Sequence, residues 1–513
     1  MPSPACSRRL LLPAMACLAG CATVGPDFHP QHEEGSDHWS SAAIEQATTQ
    51  HAQPDLGQWW QVFDDRNLER LIAEADAGNP DLKLAGLRVL EARAQLGIAL
   101  AGRYPQVQQI GADALYSKTR THGGSTPSVP GAWQYGASFN IGWELDFWGR
   151  FQRAIESADA AYFASQANRD DALVLLHAQV ADTYFTLRTA EARLRIAREN
   201  SELQKRSFEI TERLFRSGES DELDWQQAKT QYLSTLSSIP DFENQILLAR
   251  HALSILLGRA PGPLPELDEQ PDKVAVIPLV DRAVLQDVPA NLLLRRPDVR
   301  AAEQQMASQS ALIGVAKADL YPSVTLLGTL AWSASSLAGA SSALALAVGP
   351  SVTWNVFDHG RITNNVRVQD ARLQQLVVTY QGTVREAARE ADDAASSLIS
   401  SLQRDRILHD AEVAARRSLT LANTIYREGY SDFQRVLDAQ RALSAEQDAY
   451  VVNRSNAVGS LIALYKAMGG GWHTEQPLVD PATREQMQQR TDWGDLFNEA
   501  SAPAPEPSGR HSR

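Results

Sequence analysis

Hydrophobic and polar residues alternate along two segments of the chain. Within residues 133–147 the odd positions are hydrophobic, among them Trp133, Phe139 and Trp143, whereas most even positions are polar. Residues 344–356 alternate in the same way, with leucine and valine opposite alanine, glycine, serine and threonine. A period of two predicts β-strands that have one apolar and one polar face.

Each of these strands follows a second extended segment, so we predict two β-hairpins, at residues 104–148 and 321–359. A soluble antiparallel sheet that covers a core gives the same alternation. However, these strands exceed the usual length of about five or six residues and carry Trp or Tyr near both ends. Such features favour a lipid-facing β-barrel with aromatic girdles. Because four strands cannot close a barrel and hydrocarbon does not tolerate an open edge, several copies must combine.

Helical periodicity follows each hairpin over a long distance. No proline occurs between Gly149 and Gly218 or between Gly360 and Gly429, so each stretch can form one helix of roughly 100 Å. We predict that the chain turns back at Gly218 and at Gly429, which form the tips of the two helical limbs. A rod of this length cannot be the core of a globular domain.

Shorter helices are predicted to return from these tips. They cover residues 221–257 and 432–467, with Ser220 and Ser431 as N-caps and Gln434 completing a capping box in the second. The remaining half of each returning limb is supplied by two further predicted helices, residues 80–103 and 297–320. Each long helix is therefore expected to pack beside two short helices stacked end to end.

The two halves of the chain repeat one another, which indicates a duplicated unit. The string Asn79-Pro80-Asp81 returns as Arg296-Pro297-Asp298, and Tyr104-Pro105 returns as Tyr321-Pro322. The same order of helix, hairpin, long helix and return helix is thus expected twice.

The composition excludes several functional classes. The chain has 513 residues, 43% of them hydrophobic and 21% charged, and a mean hydropathy of -0.30. No apolar run reaches the roughly 18 residues that a spanning helix needs. A net charge of -14 without a basic block makes nucleic acid an improbable partner.

The N-terminus has the pattern of a secretory signal. Arg8 and Arg9 precede a short apolar stretch, and the string Leu18-Ala19-Gly20-Cys21 resembles the lipobox of bacterial lipoproteins. This resemblance implies that Cys21 is acylated and becomes the mature N-terminus, and Ala22 after it implies sorting to the outer membrane. The alternative is an ordinary signal with a chance cysteine.

We divide the chain according to these patterns. The segments are a signal peptide (1–20), a lipid-anchored N-terminal segment with an equatorial belt (21–79), repeat 1 (80–257), an equatorial linker (258–290), repeat 2 (291–467), an equatorial C-terminal segment (468–497) and a disordered tail (498–513). The segments outside the repeats are expected to gather where the short helices abut.

Several strings carry a family resemblance. Residues 291–303 (NLLLRRPDVRAAE), 464–472 (LYKAMGGGW) and 24–28 (VGPDF) resemble hallmarks of TolC-like outer-membrane efflux lipoproteins. The resemblance is to the NodT-type branch, which serves resistance-nodulation-division pumps. It implies an α+β membrane protein in which a homotrimer forms a 12-stranded β-barrel continuous with a 12-helix periplasmic α-barrel. It also implies a periplasmic membrane-fusion adaptor and an inner-membrane pump as partners.

The resemblance also assigns residues to a periplasmic gate. The aperture ring of the family maps to Gln434, Asp438 and Arg441, with Arg435 beside them. A leucine is familiar at the position of Gln434, and another branch has a second aspartate where this chain has Arg435, so the constriction is expected to be less apolar and less acidic here. Alternatively, Asp438 only pairs with Arg435 and Arg441 on a solvated face.

The resemblance further places Tyr426, before the second turn, opposite Asp224, after the first turn. A bond from the phenol to the carboxylate between neighbouring coils would tie the tunnel shut. The alternative is that both are ordinary exposed residues at helix ends, because aspartate is favoured in a first helical turn.

The sequence shows no constellation of catalytic residues, and the only cofactor-like group it implies is the covalent lipid at Cys21. His29, His32, His38 and His51 cluster near the N-terminus, but their spacing fits no metal-binding pattern, so we predict no metal site. The predicted function is a passive conduit for small molecules, with two alternatives. One is an exit duct for proteins or peptides, and the other is an adhesive coiled-coil lipoprotein. The exported substrate is not indicated.

Overall fold

The computed structural model describes residues 23–30, 56–118, 131–268, 277–280, 296–336, 342–472 and 477–497. Its helices are α1 (Arg66–Gly78), α2 (Pro80–Ala101), α3 (Arg150–Ser217), α4 (Glu222–Leu256), α5 (Pro265–Asp268), α6 (Pro297–Ala318), α7 (Arg361–Arg427), α8 (Gln434–Ala467) and α9 (Pro481–Arg490). Its strands are β1 (Val107–Ser117), β2 (Ala132–Leu145), β3 (Ser323–Ala334) and β4 (Ser342–Thr353). Cys21, His32, His38, His51 and residues 498–513 lie outside the described residues.

Two uninterrupted helices form the frame of the molecule. Helix α3 has 68 residues and α7 has 67, so each is about 100 Å long. Gly149 and Gly360, which precede them, have φ angles of 73° and 83°, in the left-handed region that glycine adopts without strain. Among the described helices, none is long and apolar enough to cross a membrane.

The returning helices do not begin as predicted. Helix α4 starts after Asp221 and α8 after Phe433, and neither of these residues makes a capping hydrogen bond through its side chain. The Ser220 hydroxyl instead donates to the Asp224 carboxylate at 3.1 Å, and the Ser431 hydroxyl donates to the Asp432 carbonyl. The predicted serine caps and the capping box were wrong, because each turn runs past its serine before the helix starts.

Each returning limb is a stack of two short helices joined by one side chain. Asn79 caps α2 by accepting from the backbone N–H of Asp81, and its amide donates to the Leu256 carbonyl at 2.9 Å, at the end of α4. In the second repeat the Arg296 guanidinium donates to the Ala467 carbonyl at 2.9 Å, at the end of α8. The same junction is thus made twice, once by a neutral residue and once by a charged one.

The helices form one layer, and the helix at each side of this layer has a neighbour on one side only within the protomer. On the tip side of the junctions the order is α4, α3, α8 and α7, and on the other side it is α2, α3, α6 and α7. The α4–α2 stack and helix α7 therefore lie at opposite sides of the protomer.

The strands form a single antiparallel sheet in the order β1-β2-β3-β4. The two predicted hairpins are present, and β2 also pairs with β3, with Phe139 opposite Leu330. The indole N–H of Trp143 donates to the Arg103 carbonyl, and that of Trp354 donates to the Leu320 carbonyl, so each hairpin is fastened to the helix before it.

The main core lies at the level of the helix junctions. There a short 3₁₀-helix, Trp59–Phe63, and α1 pack on the middle of α3 and on the C-terminal part of α8. The Tyr184 hydroxyl donates to Asp65 at 2.7 Å, and the ring nitrogen Nε2 of the fully buried His177 lies 2.6 Å from Asp76. These contacts hold a second layer, the belt, on one face of the helices.

Residues 23–30 run along the helices as a strap. The backbone N–H of Val24 donates to the Trp148 carbonyl at 3.0 Å. The buried guanidinium of Arg153 donates to the Val24 carbonyl at 3.2 Å and to Asp27 at 2.7 Å. Phe28 packs against an apolar cluster between α6 and α7. The strap therefore contacts both repeats and starts beside the base of the sheet.

The buried carboxyl of Asp170 predicts a pH-dependent stability. Burial raises the pKa of Asp170 to about 6 despite Arg300 at 3.8 Å. The folded protein therefore holds this proton more tightly than the unfolded chain does. Ionisation therefore costs stability as the pH rises from about 4 to about 6, by up to about 3 kcal/mol. We expect Asp170→Asn to raise the apparent melting temperature in detergent at pH 8 and to leave it unchanged below pH 4. The control is Asp410→Asn, an exposed carboxyl on α7, and equal melting temperatures for parent and Asp170→Asn at pH 8 would contradict the prediction.

Candidate functional site

The end of the helical layer farthest from the sheet consists of two exposed turns. Gly218 and Gly429 both have φ of 77°, and a Cβ atom added to either would meet nothing within 4 Å. The glycines are therefore required by the backbone conformation and not by close packing.

A small apolar cluster stiffens the second turn. Phe433 and Leu437 at the start of α8 are buried against Leu419 of α7, and the rings of Tyr426 and Phe433 lie 5.3 Å apart. Phe208 of α3 packs against the same cluster. The polar residues at this end thus extend from a fixed support.

Gln434, Asp438 and Arg441 form one exposed stripe on α8, as their spacing predicts. The Gln434 amide donates to the Asp438 carboxylate at 3.0 Å, and Arg441 lies 3.7 Å from the same oxygen. The Arg441 guanidinium also donates to the Gln231 side chain on α4 at 3.0 Å. The stripe therefore links the returning helices of the two repeats.

The alternative pairing of Asp438 is only half present in the structure. Asp438 pairs with Arg441, whereas the exposed Arg435 makes no ion pair with it among the described residues. The side chains of Asp438 and Arg441 are 61% and 51% exposed, so this pair contributes little to stability. The Asp438 carboxylate therefore remains in contact with solvent at the turn.

Tyr426 and Asp224 line one groove between the two turns. The groove has a volume of about 660 Å³. Burial, and then the charge of Asp224, raise the pKa of Tyr426, so its hydroxyl stays protonated. In the described protomer no hydrogen bond joins the two side chains, and the Asp224 carboxylate accepts from Ser220 instead.

The sequence did not predict the contacts that three residues make at this site. They are Ser220, which was expected only as an N-cap, Gln231 and Phe433. The hydrophobic Phe433 at the edge of the helix was a usable signal, because such residues often pack at helix ends. Gln231 is paired with a residue of the other repeat, so no local spacing could have revealed it. Within the described residues, no group of three or more His, Cys, Asp or Glu side chains is placed to hold a metal.

Comparison with known proteins identifies the family of this architecture. The outer membrane efflux protein family matches residues 71–259 and 288–470, which correspond to the two repeats. The chain is 30% identical to the probable outer membrane lipoprotein SilC of Salmonella typhimurium, over 89% of this chain and 96% of SilC.

Two solved structures share the fold. The outer-membrane channel OprN has a TM-score of 0.81 and 33% identity, covering 88% of this chain and 100% of OprN. The open state of the MtrE outer membrane channel of Neisseria gonorrhoeae has a TM-score of 0.72 and 27% identity, covering 88% of this chain and 98% of MtrE. The fold class predicted from the sequence is confirmed, including the trimeric barrel of its structural neighbours. The chain belongs to the outer membrane efflux protein family and is an outer-membrane channel with the TolC-like fold.

Proposed function

We propose that three copies of the chain join head to tail into one duct that carries small molecules from the periplasm to the exterior. The observation that supports this most directly is the pair of free edges on the sheet, β1 and β4. Lipid does not tolerate unpaired strand edges, and pairing β1 of one copy with β4 of the next satisfies all of them. Three sheets then supply twelve strands.

The two sides of the helical layer support the same arrangement. Large hydrophobic side chains are exposed along both of them. They are Leu223, Leu233, Leu247, Leu248 and Ile255 on α4 and Val378, Ile407, Val413 and Leu421 on α7. Because α4 and α7 lie at opposite sides, contact between them in neighbouring copies is heterologous. Such a contact gives a ring when the rotation between copies closes, and pairing of β1 with β4 in a closed barrel requires that closure. The apolar side chains would be buried there.

In such a ring the two turns of each copy gather at the periplasmic end. We place the gate at the stripe of Gln434, Asp438 and Arg441, where three Asp438 carboxylates face the axis. Tyr426 and Asp224 supply a second restraint, because the intact phenol and the carboxylate share one groove at the same level. The described protomer has no hydrogen bond between them, and a charge-assisted bond formed between neighbouring coils in the closed state would contribute about 1.5 to 3 kcal/mol. Three copies shift an open–closed equilibrium by more than about tenfold.

The duct is passive and depends on partners. We propose that a periplasmic adaptor and an inner-membrane pump of the resistance-nodulation-division class engage the turns and deliver the cargo. The structure of MtrE, which shares this fold, is that of an open state of the channel, and this supports a channel that also has a closed state.

The trimer is tested by native mass spectrometry in detergent. We expect three times the mass of the mature chain. Ile407→Asp on α7 and Leu233→Asp on α4 should each shift the population toward monomers, because they place a charge in the proposed interface. Leu203→Asp on α3, which lies between α4 and α8 and away from both sides of the layer, serves as the matched control. A parent protein that stays monomeric would refute the assembly.

The gate is tested by single-channel recording in planar bilayers. Asp438→Ala, and separately the double variant Tyr426→Phe with Asp224→Ala, should each raise the conductance without loss of trimer, because each removes a restraint at the turn. The matched controls are Asp410→Ala and the double variant Tyr430→Phe with Asp221→Ala, which alters exposed residues of the same turns. If both test variants conduct like the parent, the gate lies elsewhere.

The lipid anchor at Cys21 is tested by metabolic labelling with palmitate. We expect Cys21→Ser to abolish incorporation and to weaken membrane attachment, because serine lacks the thiol to which the lipid is attached through a thioether bond. The barrel can still insert through its apolar face. The neighbouring variant Ala22→Ser is the control, and label in the Cys21→Ser protein would disprove the assignment.

A further inference from the structure

The register of the sheet assigns every strand residue to the lipid face or to the lumen face. Trp133, Phe139 and Trp143 of β2 share a face with the leucines and valines of β4, which is the lipid face. The opposite face carries the Thr329 hydroxyl, which donates to the Asn140 side chain at 3.1 Å. This polar face lines the lumen once the barrel closes.

The lumen face of the four strands carries only two charged residues. They are Asp113 and Glu144, and the strands contain no lysine, arginine or histidine. Glu144, at the base of β2, lies 3.3 Å from Arg150, so its charge is compensated locally. Asp113 has no ion-pair or hydrogen-bond partner among the described residues. Among the described residues of the four strands, it is therefore the one charge without a local counter-charge.

The neighbouring strand leaves room for the Asp113 carboxylate, because the residue paired with Asp113 has no side chain. Asp113 pairs directly with Gly136 on β2. A Cβ atom on that glycine would lie 2.5 Å from one carboxylate oxygen and 3.1 Å from the other. The side chain thus lies flat across the neighbouring strand and keeps its charge at the wall.

We propose that Asp113 is a selectivity-determining residue, and that three copies form an anionic ring that favours cations and cationic small molecules in the barrel. Asp113 lies six residues along β1 from Val107, which is about 20 Å along the strand. With a strand tilt of about 40°, this places it roughly 15 Å above the helical end of the barrel. This inference rests on the proposed trimer, and it is separate from the gate at the far end of the helices.

The size of the barrel sets the strength of this ring. Twelve strands tilted by about 40° give a backbone diameter of roughly 24 Å, so the carboxylates lie about 9 Å from the axis. The Debye length is about 10 Å at 0.1 M salt and about 3 Å at 1 M. The field of the ring therefore reaches the axis at low salt and is screened at high salt. Coulomb's law with this screening enriches a monovalent cation about two- to threefold at about 0.1 M and depletes a monovalent anion by the same factor, so the ratio of the two changes roughly sixfold.

The test is the reversal potential of the reconstituted trimer under a KCl gradient. It is measured near 0.1 M and near 1 M in the parent and in the Asp438→Ala background, so that the carboxylates of the gate do not dominate. We expect Asp113→Asn to lower the permeability ratio of K⁺ to Cl⁻ roughly sixfold near 0.1 M and hardly at all near 1 M.

Two variants separate charge from structure. Asp113→Glu should keep the parent ratio, and Gly136→Ala should also keep it, because it moves the carboxylate without removing it. An unchanged ratio in Asp113→Asn, or an equal change at both salt concentrations, would overturn the proposal. A monomer in native mass spectrometry overturns the assembly instead, and unaltered conductance in Asp438→Ala overturns only the gate.

Discussion

Hydrocarbon accepts no unpaired strand edge, and the rest of the architecture depends on this constraint. One chain supplies a sheet of four strands with two free edges, β1 and β4, so the barrel can exist only as a shared product of several copies. The helical layer also has two free sides: the α4–α2 stack, which leads into β1, and α7, which follows β4. The part of the chain in lipid and the part in the periplasm therefore require the same ring.

The duplicated unit keeps its geometry while its chemistry diverges. The junction between the two short helices is closed by Asn79 in one repeat and by Arg296 in the other, each through a carbonyl at the end of the returning helix. Arg296 also pairs with Asp298 and Glu390, whereas Asn79 remains neutral. The two hairpins diverge as well, because Asp113 has no acidic equivalent in β3. The two repeats therefore share one shape, whereas each carries a charge that the other lacks.

The sequence revealed those features that repeat along the chain. Alternation identified the strands, the absence of proline identified α3 and α7, and glycine marked the turns. The N-terminal caps failed because the start of a helix depends on the path of the turn, and Ser220 and Ser431 fit the local pattern without meeting a backbone N–H. Contacts between distant segments, such as Arg441 with Gln231 and Arg153 with Asp27, have no signature in the spacing of residues. The family resemblance supplied the position of the gate stripe, which periodicity alone could not.

The uninterrupted length of α3 has a mechanical consequence. The belt holds this helix at Tyr184, near its middle, and the remaining residues to Ser217 extend for about 50 Å without proline. A rod of this kind acts as a lever whose pivot is the belt, so each degree of tilt displaces the turn by roughly 1 Å. A tilt of a few degrees, small enough to leave the packing at the pivot intact, would be amplified into a displacement as large as a side chain at the opening.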